Sequence, residues 1–150
     1  MQIARAFLRH YLKNGARQKG DIINGGSVSY CFVALSSLLA IKGGEGASAY
    51  AASKAGLLAF TRALSLEAST IQKRNPAENV SFRANVVLPG YVHTPMTKGF
   101  SDTHIQKLNE SIPLGRFARA EEVADAVAFL VTNEYANNTV LNLDGGLSAT

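Results

Sequence analysis

Residues 79–90 read N-V-S-F-R-A-N-V-V-L-P-G, and the fold class turns on how this stretch is read. Val80, Phe82, Ala84, Val86, Val87 and Leu88 make a run too apolar for a strand with one wet face. The pattern predicts a strand buried on both faces, as strands of parallel sheets are. Pro89 and Gly90 end it, since proline has no amide to donate and glycine opens the chain to a turn. Such a strand needs helices on both sides, and the flanking sequence supplies them. Upstream, YAASKAGLLAFTRALSLEAST from Tyr50 to Thr70 sets Leu57, Thr61, Leu64 and Ala68 along one helical face, while Arg62 and Glu67 face water. The breaker Asn75-Pro76 closes that helix. Downstream, Glu121 and Glu122 open a second helix, where their charge complements the dipole, and Val123, Val127, Leu130 and Val131 line one face. A last strand, T-V-L-N-L, runs into Asp144-Gly145-Gly146.

Before the long helix lie two β-prone pieces, D-I-I-N (21–24) and S-Y-C-F-V-A-L (29–35), separated by Gly25 and Gly26. Only one of them need be a central strand. The first twenty residues carry Arg5, Arg9, Lys13, Arg17 and Lys19 with no acid, and Ile3, Phe7 and Tyr11 recur at helical spacing. That matches a mitochondrial presequence as well as a helix of the fold, and the strand-like D-I-I-N directly after it favours the helix. The segment containing Pro95, Gly99 and Pro113 is too broken for one long helix and suits a flap over a substrate. Strands alternating with helices imply βα units, a parallel sheet and an α/β fold.

At 150 residues and 47% hydrophobic, the chain has material for one domain and one core. A single cysteine, Cys31, excludes an internal disulfide and fits a reducing compartment or simple packing. No zinc-site spacing occurs, no apolar stretch is long enough to span a bilayer, and a soluble protein is expected. The net charge of +4 comes from dispersed residues without interleaved aromatics. This argues against nucleic acid and leaves an acidic carrier or a phosphorylated cofactor as partners.

Y-A-A-S-K sets Tyr50 and Lys54 four residues apart, on one face of a helix. A free phenol titrates near pH ~10, and a neighbouring cation stabilises the phenolate and lowers that value, which suits acid–base chemistry. Alongside it stand Ser36-Ser37, N-V-V-L-P-G-Y-V-H-T from Asn85 to Thr94, I-P-L-G-R from Ile112 to Arg116, and the terminal L-D-G-G. In order and spacing these motifs resemble the short-chain dehydrogenases/reductases. H-T-P-M-T and I-P-L-G-R-F are most similar to the 3-oxoacyl-[acyl-carrier-protein] reductases and mitochondrial carbonyl reductases.

The resemblance implies NAD(P)H-dependent reduction of a carbonyl, such as a 3-oxoacyl thioester or a related ketone. Tyr50 is then the proton donor, Lys54 lowers its pKa and meets the nicotinamide ribose, and Ser37, thirteen residues before the tyrosine, holds the carbonyl oxygen. Pro89 and Gly90 would turn the chain so that Val92 and Thr94 meet the nicotinamide carboxamide. NADPH is the implied cofactor, with NADH as alternative, and a homo-oligomer in the cytoplasm or mitochondrial matrix is the implied setting. A Ser37–His93–Asp144 hydrolase triad is disfavoured, because Ser37 lies in A-L-S-S-L and not in a G-x-S-x-G elbow.

Two departures from the family stand out. The T-G-x-x-x-G-x-G turn that cradles a pyrophosphate is absent. Gly43, Gly44 and Gly46 fall between the serine and the tyrosine, so they belong to the active-site loop. The expectation is therefore a partial Rossmann-like doubly wound parallel sheet, residues 1–150 forming the C-terminal half of one domain without its N-terminal nucleotide-binding half. A truncated, non-catalytic chain that keeps an oligomerisation or interaction surface is the competing reading. The second departure is about ten extra residues between I-I-N and Ser36. They form either a replacement strand through Cys31–Leu35 or a bulge that displaces Ser37. Asn138 stands where the family tends to have glycine, and asparagine tolerates the left-handed conformation such a turn needs.

Overall fold

The computed structural model of the chain describes Ala6, Arg9, His10 and residues 28–74 and 80–149. D-I-I-N and most of the expected first helix lie outside the described residues. Of the extra residues before Ser36, Val28–Leu35 form a strand, and residues 25–27 lie outside the described residues. β1 (Val28–Leu35) begins three residues earlier than Cys31 and pairs parallel to β2 (Val80–Pro89), from Val28 opposite Val80 to Leu35 opposite Val87. β3 (Val140–Leu143) pairs parallel to the other side of β2, giving a three-stranded sheet in the order β1-β2-β3.

Every residue from Phe82 to Leu88 in β2 is buried, as the apolar run predicts. The period-2 alternation of a strand divides them between two layers. Phe82, Ala84, Val86 and Leu88 face the long helix α2 (Ser48–Arg74), where they pack with Leu58, Leu64 and Ala68. Val87 faces the other way, onto Val123, Ala126 and Leu130 of α4 (Ala120–Thr132). Thr61, Leu64 and Ala68 of α2 are buried as expected, but Leu58 and Ser65 are buried where Leu57 is only partly so. On α4, Val131 is 48% exposed and does not share the core face of Val123, Ala126 and Leu130, because it stands about 100° round the helix from Leu130.

The same face of β2 holds two buried polar side chains that the apolar run concealed. Arg83 Nη1 donates to the carbonyl oxygens of Leu130, Asn133 and Ala136 at 2.8, 3.0 and 2.9 Å, Nη2 to that of Val131 at 2.8 Å, and Nε to Ser29 Oγ at 3.0 Å. These carbonyls lie at the C-terminal end of α4 and the turn after it, where helical carbonyls lack partners of their own. Asn85 donates to Ala136 O and accepts from the Thr139 amide, so it fixes the path into β3. Asn138 has φ 58°, in the left-handed region, and its amide donates to Ala84 O at 2.9 Å.

The broken segment holds a 3-10 turn (Thr97–Gly99) and a ten-residue helix, α3 (Asp102–Ser111), capped by Ser101 Oγ accepting from the His104 amide. Its far end is anchored. Ile112 and Phe117 are buried with Leu38 and Leu147, and Ile112 lies so close to Gly145 (φ +64°) that a side chain there would meet it at 2.8 Å. Arg116 forms two hydrogen bonds to Glu122, which also accepts from the Arg119 amide at the start of α4. The Arg116 hydrogen bonds first, then that of the Arg119 backbone, lower the Glu122 carboxyl to about 2.

Two predictions follow from these contacts. Arg83→Met should cost about 3 kcal/mol or more in denaturant unfolding, because it strands buried carbonyls without a donor. The stability that Glu122 contributes relative to Glu122→Gln should be fully present above the ordinary value of 4.5 and lost as pH falls toward about 2. Chemical unfolding of both proteins at several pH values between those limits measures it.

Candidate active site

In a parallel sheet the carboxyl ends of all strands lie along one edge, and side chains carried just past those ends converge there. Beyond Leu35 the β1 chain stays tied to β2. The Ser36 amide donates to Val87 O and the Leu38 amide to Pro89 O, each at 2.9 Å. Ser37 is thus delivered at the strand's end in spite of the extra residues upstream. Its Oγ accepts from the Leu39 amide at 3.2 Å, at the start of the short helix α1 (Leu39–Lys42). Leu38, 3% exposed, pins this loop onto Ile112, Phe117 and Leu147.

α2 begins at Ser48, so Tyr50 and Lys54 fall in its first two turns. Tyr50 is 43% exposed, with Lys54 Nζ 5.5 Å from its ring centroid, within cation–π range. The same Nζ donates to Leu35 O at 3.2 Å, and Ser36 Oγ donates back to Lys54 O at 2.8 Å. Tyr50, Lys54 and the end of β1 are therefore one connected group. Ser37 is part of that loop but shares no hydrogen bond with Tyr50 among the described residues.

The end of β2 supplies the other half of the site. Gly90 donates to Leu143 O at 2.9 Å, and its Cα approaches β3 so closely that a side chain would meet Asp144 Cα at 2.9 Å. The chain then turns, Val92 bridges to Ala118, and Thr97 Oγ1 accepts from the Thr94 amide and sits within hydrogen-bond distance of the Val92 and Thr94 carbonyls. Thr97 thereby ties the whole Val92–Thr94 turn together. Among the described residues, the Val92 amide and the Thr94 hydroxyl take no hydrogen bond, so both are available to a ligand. A cavity of about 330 Å³ opens here, lined by His93, Thr94, Pro95, Thr97, Lys98 and Ile105.

The hydrolase triad is not assembled. The His93 ring packs on Phe117 at 5.2 Å, and the Asp144 carboxylate is held by Asn142 and by the Gly146 and Ser148 amides. Burial pushes the Asp144 carboxyl up, but hydrogen bonds from Ser148, Gly146 and Asn142 outweigh it and hold it below the usual range. Sequence reasoning passed over Ser36 and Thr97. The doubled serine was the visible signal for the first, whereas nothing in the sequence marked the second.

Residues 4–148 match the family model described as enoyl-(acyl carrier protein) reductase. A rat protein named 3-oxoacyl-[acyl-carrier-protein] reductase is 39% identical over 150 residues, which is 100% of this chain and 52% of that protein. Among solved structures, a Brucella melitensis short-chain dehydrogenase/reductase, glucose/ribitol dehydrogenase, is 29% identical with a TM-score of 0.67 over 78% of this chain and 44% of its own. An Agrobacterium tumefaciens protein described as a 2-deoxy-d-gluconate 3-dehydrogenase, with bound NADP, is 31% identical with a TM-score of 0.70, over 81% of this chain and 48% of its own. The chain spans about half the length of the curated relatives it matches. With the family model running through nearly all of it, and with the parallel sheet shared by these solved structures, the chain belongs to the short-chain dehydrogenase/reductase family.

Proposed function

We propose that the chain carries the proton-donating and nicotinamide-facing side of an NAD(P)H-dependent carbonyl reductase. Tyr50 donates a proton to the substrate's carbonyl oxygen, Lys54 stabilises the phenolate left behind, and Ser37 holds that oxygen in place. The observation that carries this reading is the convergence of Tyr50 and Lys54, with Nζ 5.5 Å from the ring and bonded to the end of the strand that bears Ser37. Because the Ser37 hydroxyl accepts from Leu39, it keeps its own proton to donate to a carbonyl.

A bound nicotinamide cofactor would supply hydride to the carbonyl carbon. The residues present fit it: the Val92 amide and the Thr94 hydroxyl suit a carboxamide, which has both an acceptor and donors. Pro89 and Gly90 shape the turn that presents them, and Lys54 Nζ suits ribose hydroxyls. We assign NADPH over NADH, in keeping with the NADP in the Agrobacterium relative. For substrate we assign a 3-oxoacyl thioester or related ketone, in keeping with the rat relative's name. The +4 charge would suit an acidic carrier. One observation favours the second reading, a non-catalytic chain that retains an association surface: Leu66 on α2 and Tyr135 are 70% and 98% exposed.

Titrating NADPH into the folded chain, followed by cofactor fluorescence and thermal stability, tests the proposal. Saturable binding is expected, weakened about tenfold in Lys54→Ala by loss of a charge-assisted hydrogen bond. Tyr50→Phe should bind NADPH within about threefold of wild type, yet lose about a hundredfold or more in carbonyl reduction. No binding at about 1 mM cofactor by a folded sample would leave the second reading standing.

A further inference from the structure

Ser36 is the member of the serine pair that the proposed chemistry does not use. It is 6% exposed, and its hydroxyl points to the Lys54 carbonyl at 2.8 Å. Lys54 answers with its side chain, donating from Nζ to Leu35 O at 3.2 Å. Two hydrogen bonds of opposite direction thus join consecutive residues at the end of β1 to a single residue of α2. A helical carbonyl keeps a lone pair free after its own i+4 bond, and Ser36 occupies the one at Lys54.

The two bonds are not equivalent. If Lys54 Nζ turns to a cofactor ribose, its bond to Leu35 competes with that task, whereas the bond from Ser36 to the Lys54 backbone is unaffected. We propose that Ser36 is a positioning residue whose hydroxyl fixes the loop bearing Ser37 against the helix turn bearing Lys54. It thereby sets the separation between Ser37 and the Tyr50–Lys54 pair. This inference rests on the reading of Ser37, Tyr50 and Lys54 given above, and it adds a residue to that group without adding a contact to substrate or cofactor.

Amide hydrogen exchange on the 150-residue chain tests it without any ligand. In Ser36→Ala, the amides of Leu38–Lys42 should exchange about fivefold faster relative to those of Phe82–Leu88, the effect of one lost hydrogen bond confined to the loop. Ser36→Thr, which keeps the hydroxyl, should return the loop close to wild-type exchange. Loop amides that are unchanged in Ser36→Ala, or that accelerate only in step with β2, would overturn the proposal. So would a Ser36→Thr loop as fast as that of Ser36→Ala. If Ser36→Ala does not fold, Ser36→Cys, a near-isostere with a weak donor, gives the same comparison. NADPH titration of the wild type runs separately: failure to bind overturns the reading of Tyr50 and Lys54, while the exchange comparison still decides whether Ser36 holds the loop.

Discussion

Arg83 lies in the middle of a strand with no water on either face, and a guanidinium in that position must place its donors inside the protein. It bonds four carbonyl oxygens at the end of α4 and in the turn beyond it. Much else depends on that arrangement. It fastens α4 across the sheet, and with Asn85 it directs the chain through Ala136–Thr139 into β3. β3 then pairs with β2 in the register that sets Pro89 opposite Leu143 and brings Gly90 against Asp144. The turn carrying Val92 and Thr94 starts from this contact, so a buried cation far from the site aims the groups that would face a nicotinamide ring.

The other side of the site is organised around Lys54. Its backbone carbonyl and its ammonium both bond to the end of β1, which ties the helix of Tyr50 to the loop of Ser37. The loop is bonded to β2 at Val87 and Pro89 as well, and Leu38 buries it against Ile112, Phe117 and Leu147. These contacts restrain the segment from three directions. The proposed proton transfer over hydrogen-bond distances needs such restraint.

Most of this architecture was legible in the sequence. The apolar run through Val86–Leu88 gave a buried parallel strand because apolar periodicity reports burial directly, and the Ala/Leu run after Tyr50 gave its covering helix. Asn138 stands where the family tends to have glycine, and it takes the left-handed conformation that asparagine tolerates. Other features were hidden for physical reasons. Arg83 and Asn85 interrupt the hydrophobic pattern and would ordinarily mark a solvated face; only the carbonyls they meet, forty-seven or more residues away, reveal why they are inside. Whether the extra residues before Ser36 made a strand or a bulge depended on pairing with β2, a non-local contact that composition does not encode. Val131 fell outside the core face because that face is centred on Val123, Ala126 and Leu130, and Val131 stands about 100° round the helix from Leu130.

On the proposed function, the ends of β1 and β2, together with the start of α2, form one preorganised nicotinamide-facing site. Backbone amide NMR of the chain during addition of nicotinamide mononucleotide, which carries the ring and ribose without the adenylate half, tests it most directly. Saturable shifts are expected at Tyr50, Lys54 and Val92–Thr94, with Ser37 following and the outer face of α4 silent. Shifts scattered over the surface, or confined to α4 and the exposed side of α2, would contradict it.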